Sequence, residues 1–207
     1  SEKPKLITVA PYGAAFWYNT TEWRLCYANG DAVNVETYGL LYNWCAAVDT
    51  FNTAYGETSV NKDVNESPNI TFSSHRRGIC PQGWHVPSDA EWTQLTNYVS
   101  SKSQYHCEDN KDFIAKALTS TKGWENSEET CSVGNLPENN NATGFSVIPA
   151  GGYGETYEFF GMVDGIWSST QFTKEQANAR YFIYVGAEVS YNYGLKDYSY
   201  SVRCLKD

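Results

Sequence analysis

The sequence predicts an α+β domain, with two helices ahead of a loop-heavy antiparallel sheet. Three observations carry that expectation. A capping box at Ser88 opens one strongly periodic helix. A second helical stretch follows and stops at Gly123. From Gly144 onward, short β-rich segments are punctuated by glycines at turn spacing, among them Gly151, Gly154, Gly165, Gly186 and Gly194.

Taken in order, residues 6–10 and 14–18 read as short strands broken by Pro11 and Gly13. Residues 23–28 form a further strand, closed by the turn Asn29-Gly30-Asp31. Residues 38–48 are apolar and compact, and their pattern fits helix and strand equally. Residues 52–74 are polar, contain Gly56 and Pro68, and read as a long surface loop, a length that marks function or insertion. In the first helix the Ser88 and Glu91 side chains satisfy exposed amides reciprocally, Pro87 sets the boundary, and Trp92, Leu95 and Val99 share the buried face. The second helix is expected over 112–120, with Phe113, Ala117 and Leu118 inward. Residues 125–141 are a polar, acidic loop. Strands are then expected at 145–148, 166–169, 180–185, 187–193 and 198–205.

The chain has 207 residues, 15 Lys and Arg against 24 Asp and Glu, and a formal charge of −9. One domain with an N-terminal addition is the natural division, with residues 1–37 an extension packed on a domain of residues 38–207. No basic stripe exists to displace counterions, so nucleic acid is not an expected partner. No apolar run reaches the length of a membrane span. Residues 1–5 are polar and carry no signal-peptide core, so a leader or anchor, for an exported protein, is not in this chain.

Six cysteines are widely spaced and form no C-x-x-C pair, which favours disulfides in an oxidising compartment over zinc or thioredoxin chemistry. Several connectivities are open to six cysteines. Position along the chain favours Cys80 with Cys204 and Cys107 with Cys131, which leaves Cys26 with Cys45.

Several segments stand together in a recognisable order. They are Tyr38-Gly39-Leu40-Leu41-Tyr42-Asn43-Trp44, then Gly78-Ile79-Cys80-Pro81-Gln82-Gly83-Trp84-His85-Val86-Pro87-Ser88-Asp89-Ala90-Glu91-Trp92. Ala142-Thr143-Gly144-Phe145-Ser146, Pro149-Ala150-Gly151, Trp167-Ser168-Ser169-Thr170 and Ser201-Val202-Arg203-Cys204 follow. Together they resemble the Fibrobacter succinogenes major paralogous domain, a family of surface proteins of Bacteroides-like bacteria. The resemblance covers residues 38–207, with loops around Asn61 and Glu129 as insertions. It implies a C-type-lectin-like fold, two helices packed on a small twisted antiparallel sheet with long loops, related to the formylglycine-generating enzyme. It also implies the Cys80–Cys204 disulfide, an exported, cell-surface location, and a pilus-tip or adhesin role with a pilin as a possible partner. Some similar domains are retroelement-diversified ligand binders whose variation falls in the last strands and loops. Within these motifs Trp84, Trp92 and Trp167 are expected in the core, His85 as a buried hydrogen-bonding residue and Arg203 in a structural ion pair or hydrogen bonds to loop carbonyls.

Known chemistries find little support. Gly144-Phe145-Ser146-Val147-Ile148 fails the G-x-S-x-G elbow at its last position, and no phosphate loop occurs. Asn61, Asp63 and Asn65 imitate the start of a calcium loop, but Glu66 replaces the turn glycine and Phe72 the bidentate Glu. The triplets that hold lectin calcium are missing, and formylglycine-type oxidation would need a cysteine pair near the C-terminal end, where only Cys204 lies. No catalytic residue, metal or cofactor is therefore assigned.

The positive signal is aromatic. Tyr181, Tyr184, Tyr191, Tyr193, Tyr198 and Tyr200 are interleaved with Ser190, Asn192, Gly194 and Ser199, the residue mix of antibody-type paratopes. Strand alternation points half of them inward, Tyr200 with Val202 and Cys204 included. The expected binding face is Tyr191, Tyr193 and Tyr198 as anchors, with Gln171, Arg180, Tyr184, Glu188, Asn192 and Lys196 setting charge and hydrogen bonding toward a protein or glycan. The alternatives are a structural or assembly domain of a surface appendage, and an enzyme on the formylglycine-generating-enzyme-like fold.

Overall fold

A computed structural model describes residues 25–49, 76–173 and 175–207. The strands expected at 6–10 and 14–18, the loop at 52–74 and the calcium-like run at Asn61 lie outside these residues. The architecture is α+β, with antiparallel sheets and few helices. A five-stranded sheet has the order β1-β2-β9-β4-β5, from β1 (Leu25–Tyr27), β2 (Leu40–Asn43), β4 (Gly152–Tyr153), β5 (Tyr157–Glu158) and β9 (Ser199–Tyr200). A three-stranded sheet runs β6 (Val163–Gln171), β7 (Gln176–Ile183), β8 (Ser190–Leu195), and β3 (Trp84–His85) pairs with β10 (Leu205–Lys206). The helices are α1 (Val35–Tyr38), α2 (Trp44–Ala47), α3 (Asp89–Ser100) and α4 (Ala115–Leu118).

The ambiguous segment 38–48 is both strand and helix. β2 ends where the Asn43 side chain accepts from the Ala46 amide at 3.1 Å and caps α2. The capping box forms as expected: Ser88 Oγ accepts from the Glu91 amide, and the Ser88 amide donates to Glu91 Oε2 at 2.8 Å. Trp92 and Val99 of α3 are buried, and Leu95 packs against the same cluster.

The three-stranded sheet is covered on both faces, which explains the nearly unbroken burial along β6. On one face Ile166 and Phe182 join Trp92, Val99, Leu118 and Trp124. On the other, Trp167, Ala177 and Ala179 meet Trp44, Val48 and the half-buried Tyr181 and Tyr200. A register shift between Trp167 and Gln171 re-aims the edge of β6. There the Ser168 carbonyl accepts from the Trp44 indole, and Thr170 Oγ1 accepts from the Asp89 amide at the start of α3.

Several expectations are corrected. The second helix is one turn, because Thr119 leaves the helix to bridge Val147. Residues 145–148 form only that bridge, since Ser146 takes a left-handed conformation at φ 61°. The final segment is two short strands, β9 and β10, divided where Ser201 bridges Ile166. Trp84 is exposed, because among the described residues β3 pairs only with β10 and alternation turns His85 inward instead. Cys80–Cys204 and Cys107–Cys131 are disulfides, but the expected Cys26–Cys45 bond is absent: Cys26 packs with Leu41 and Ala150, Cys45 with Trp44 and Trp167. The two thiols sit in separate apolar clusters.

Candidate functional site

The antiparallel register of β7 and β8 decides which side chains share a face. Tyr191 lies opposite Arg180 and Tyr193 opposite Asn178, on the side toward α3. Asn192 lies opposite Ala179 and Ser190 opposite Tyr181, on the reverse side. The sequence-predicted set is therefore split between two faces.

On the α3 side, Tyr191 and Tyr193 are 56% and 44% exposed, yet both rings are held. The Arg180 guanidinium stacks 4.6 Å from the Tyr191 ring centroid. Arg180 is itself buried and fixed to α3, donating to Asp89 Oδ1 at 2.6 Å, the Asp89 carbonyl at 3.3 Å and Thr93 Oγ1 at 3.1 Å. Partial burial, reinforced by the Asp89 charge, pushes the Tyr191 hydroxyl above its ordinary range, so it stays a neutral donor. Tyr193 stacks on Phe172 with ring centroids 4.4 Å apart and planes 6° from parallel. Phe172 was not among the expected residues; its position one step past the buried strand end at Gln171 was the available signal.

The other expected residues take different places. Glu188 is exposed in the β7–β8 turn, and Asn192 is exposed with its side-chain oxygen accepting from the Tyr193 amide. Tyr184 packs half-buried against the main core. Gln171 and Lys196 are buried together, with Lys196 Nζ donating to Gln171 Oε1 and sitting 4.6 Å from the Trp44 ring centroid. Burial lowers the Lys196 pKa to about 8. Arg180, Gln171 and Lys196 thus act from inside: they brace the sheet edge that carries the tyrosines. Tyr198 is half-buried on the reverse side, its ring against Gly154.

His85 and Arg203 of the sequence motifs each contact a distant part of the fold. His85 is buried between Asp207, 2.7 Å from Nδ1, and Glu91, 2.9 Å from Nε2, which ties the C-terminal end to the start of α3. Arg203 lies over the Phe145 ring at 4.5 Å. Burial pushes the Cys26 thiol up to about 11, far from a reactive thiolate. Among the described residues no group of three or more His, Cys, Asp or Glu is placed to hold a metal. No helix among them is long and apolar enough to cross a membrane.

No curated protein and no solved structure matches the chain. A family model does, the Fibrobacter succinogenes major domain, over residues 3–206. That span takes in both disulfides, both faces of the three-stranded sheet and the β3–β10 closure, and the chain belongs to the Fibrobacter succinogenes major domain family.

Proposed function

We propose that this is an exported, non-enzymatic binding domain of a bacterial cell surface or pilus tip, with a C-type-lectin-like fold. It presents Tyr191 and Tyr193 to a protein or glycan. The observation that carries this reading is that both rings are exposed and yet fixed, one on a buried, helix-anchored Arg180 and one on Phe172. A ring preset in this way offers a large contact surface and loses little entropy on binding. Glu188, exposed in the β7–β8 turn, supplies charge near the strip, and Asn192, exposed on the reverse face of β8, supplies hydrogen bonding at the sheet edge. Two disulfides fit an oxidising, extracytoplasmic setting. The high Cys26 pKa argues against thiol-based oxidation on this fold. The test is a glycan and protein array probed with the labelled chain and with Tyr191→Ala/Tyr193→Ala, which should lose the specific signals.

The assembly reading has one observation of its own. Among the described residues β8 is the outer strand of its sheet, an edge suited to accepting a strand from a pilin. Specific binding of a cognate pilin strand, with no other ligand on the array, would favour it.

A further inference from the structure

On the reverse side of the three-stranded sheet, a cavity of about 340 Å³ lies between β6–β7, the β4–β5 hairpin and β9. That volume is at the lower end for a small-molecule site. Tyrosines and glycines make most of its walls, with Val163 and Ile183 adding aliphatic surface. Tyr200 stands nearly perpendicular to Tyr181, at 5.5 Å and 85°, and to Tyr198, at 6.3 Å and 70°. Three rings at such angles enclose a corner lined by aromatic carbon.

The corner is built into the backbone. A Cβ on Gly154 would lie 2.7 Å from the Tyr198 ring, and one on Gly152 or Gly165 would lie 3.0 Å from Tyr200. Only glycine lets these rings seat so closely on the strands. At the lip, Phe159 is 57% exposed and holds a left-handed φ of 58°, a conformation bulky residues rarely adopt without a reason in their surroundings.

The charge of the lining is one-sided. Among the described residues Glu158 is its one ionisable group besides the tyrosines, close enough to Tyr200 to help keep that phenol protonated, after burial and the neighbouring tyrosines as the larger causes. Among the described residues no Lys or Arg lines the cavity. A sugar would need many convergent donors and acceptors, and aromatic and glycine walls offer few. A methylated ammonium needs none: its methyl groups suit aromatic faces, and its charge suits π-clouds beside a carboxylate.

We propose that this cavity binds a quaternary ammonium group, with Tyr181, Tyr198 and Tyr200 as its aromatic walls and Glu158 as its counter-ion. It is a second site, on the opposite face of the sheet from Tyr191 and Tyr193. The probe is choline, compared by titration calorimetry with its uncharged carbon isostere, dimethylbutanol, and with glucose. Choline should bind saturably and the isostere at least about tenfold more weakly, because the cation–π and carboxylate terms are lost. Glu158→Gln, which keeps the shape, should weaken choline severalfold, and Tyr198→Leu should weaken it further at an unchanged Tm. Tyr191→Ala/Tyr193→Ala should bind choline like the parent chain, which separates this site from the exposed strip. The proposal is overturned if choline does not saturate, if the isostere or glucose binds as tightly, or if Glu158→Gln has no effect.

Discussion

Lys196→Met removes a buried ammonium and keeps a side chain of similar length, and the structure sets the size of the effect. Burial lowers the pKa of Lys196 from 10.5 to about 8. At 1.36 kcal/mol per unit, that is about 3 kcal/mol by which the folded chain disfavours the charged form. The sign follows from linkage. Between about pH 8 and 10.5 the unfolded chain holds a proton that the folded chain has released, so stability from this group rises with pH. Below that window the cost of the charge is fully present, and above it the cost is gone. At neutral pH the Met variant escapes this cost but leaves Gln171 Oε1 without its donor, a loss of about 1–3 kcal/mol. The two effects nearly cancel, so the informative quantity is the difference between parent and variant across pH. Urea unfolding at several pH values, with disulfides intact, should show the parent gaining about 3 kcal/mol on Lys196→Met from pH 7 to about pH 10.5. The tyrosines titrate in both chains and drop out of the difference. A flat difference would refute the buried, perturbed Lys196 and with it the internal bracing of β8.

Three further outcomes follow from single features. Thiol titration of the unreduced chain should give two reactive thiols, Cys26 and Cys45, only after denaturation; none at all would mean the missing disulfide forms. Burial raises the Asp164 carboxyl well above its ordinary range, although Ser201 Oγ donates to it at 2.8 Å. Its contribution to stability is thus full below the unfolded value near pH 4 and is lost as pH rises toward the folded value, and Asp164→Asn should flatten this part of the pH–stability curve. Ser88→Ala should cost about 1 kcal/mol in urea unfolding, by removing one half of the capping box; no change would mean that the α3 start is held by other contacts.

Much of the fold was legible because local chemistry and tertiary structure agree. Ser88 and Glu91 define α3 without outside help, and Trp92 and Val99 fall on its inner face as their spacing requires. Ile166 and Trp167 enter opposite cores, as alternation demands. What was not legible depends on partners distant in sequence. Arg180 reads as a surface charge until Asp89, 91 residues away, is seen beside it. Its parity with Phe182 was the one local hint that it points toward the helices. Lys196 gives no hint of the Trp44 ring it covers. Gly152, Gly154 and Gly165 read as turn punctuation, but in the fold they are the surfaces on which tyrosine rings rest. Alternation already implied that half of the six tyrosines point inward. It did not imply that Tyr198, expected beside Tyr191 and Tyr193, packs against Tyr200 on the reverse side, so one composition signal covers two aromatic surfaces.

The central claim, that Tyr191 and Tyr193 form a preset binding strip, is tested most directly by one comparison. The labelled chain and Tyr191→Ala/Tyr193→Ala are applied to the same glycan and protein array, with Tm measured for both. The expected result is loss of the specific signals at an unchanged Tm, since both side chains are exposed and few core contacts depend on them. An identical binding profile from the two chains would contradict the account.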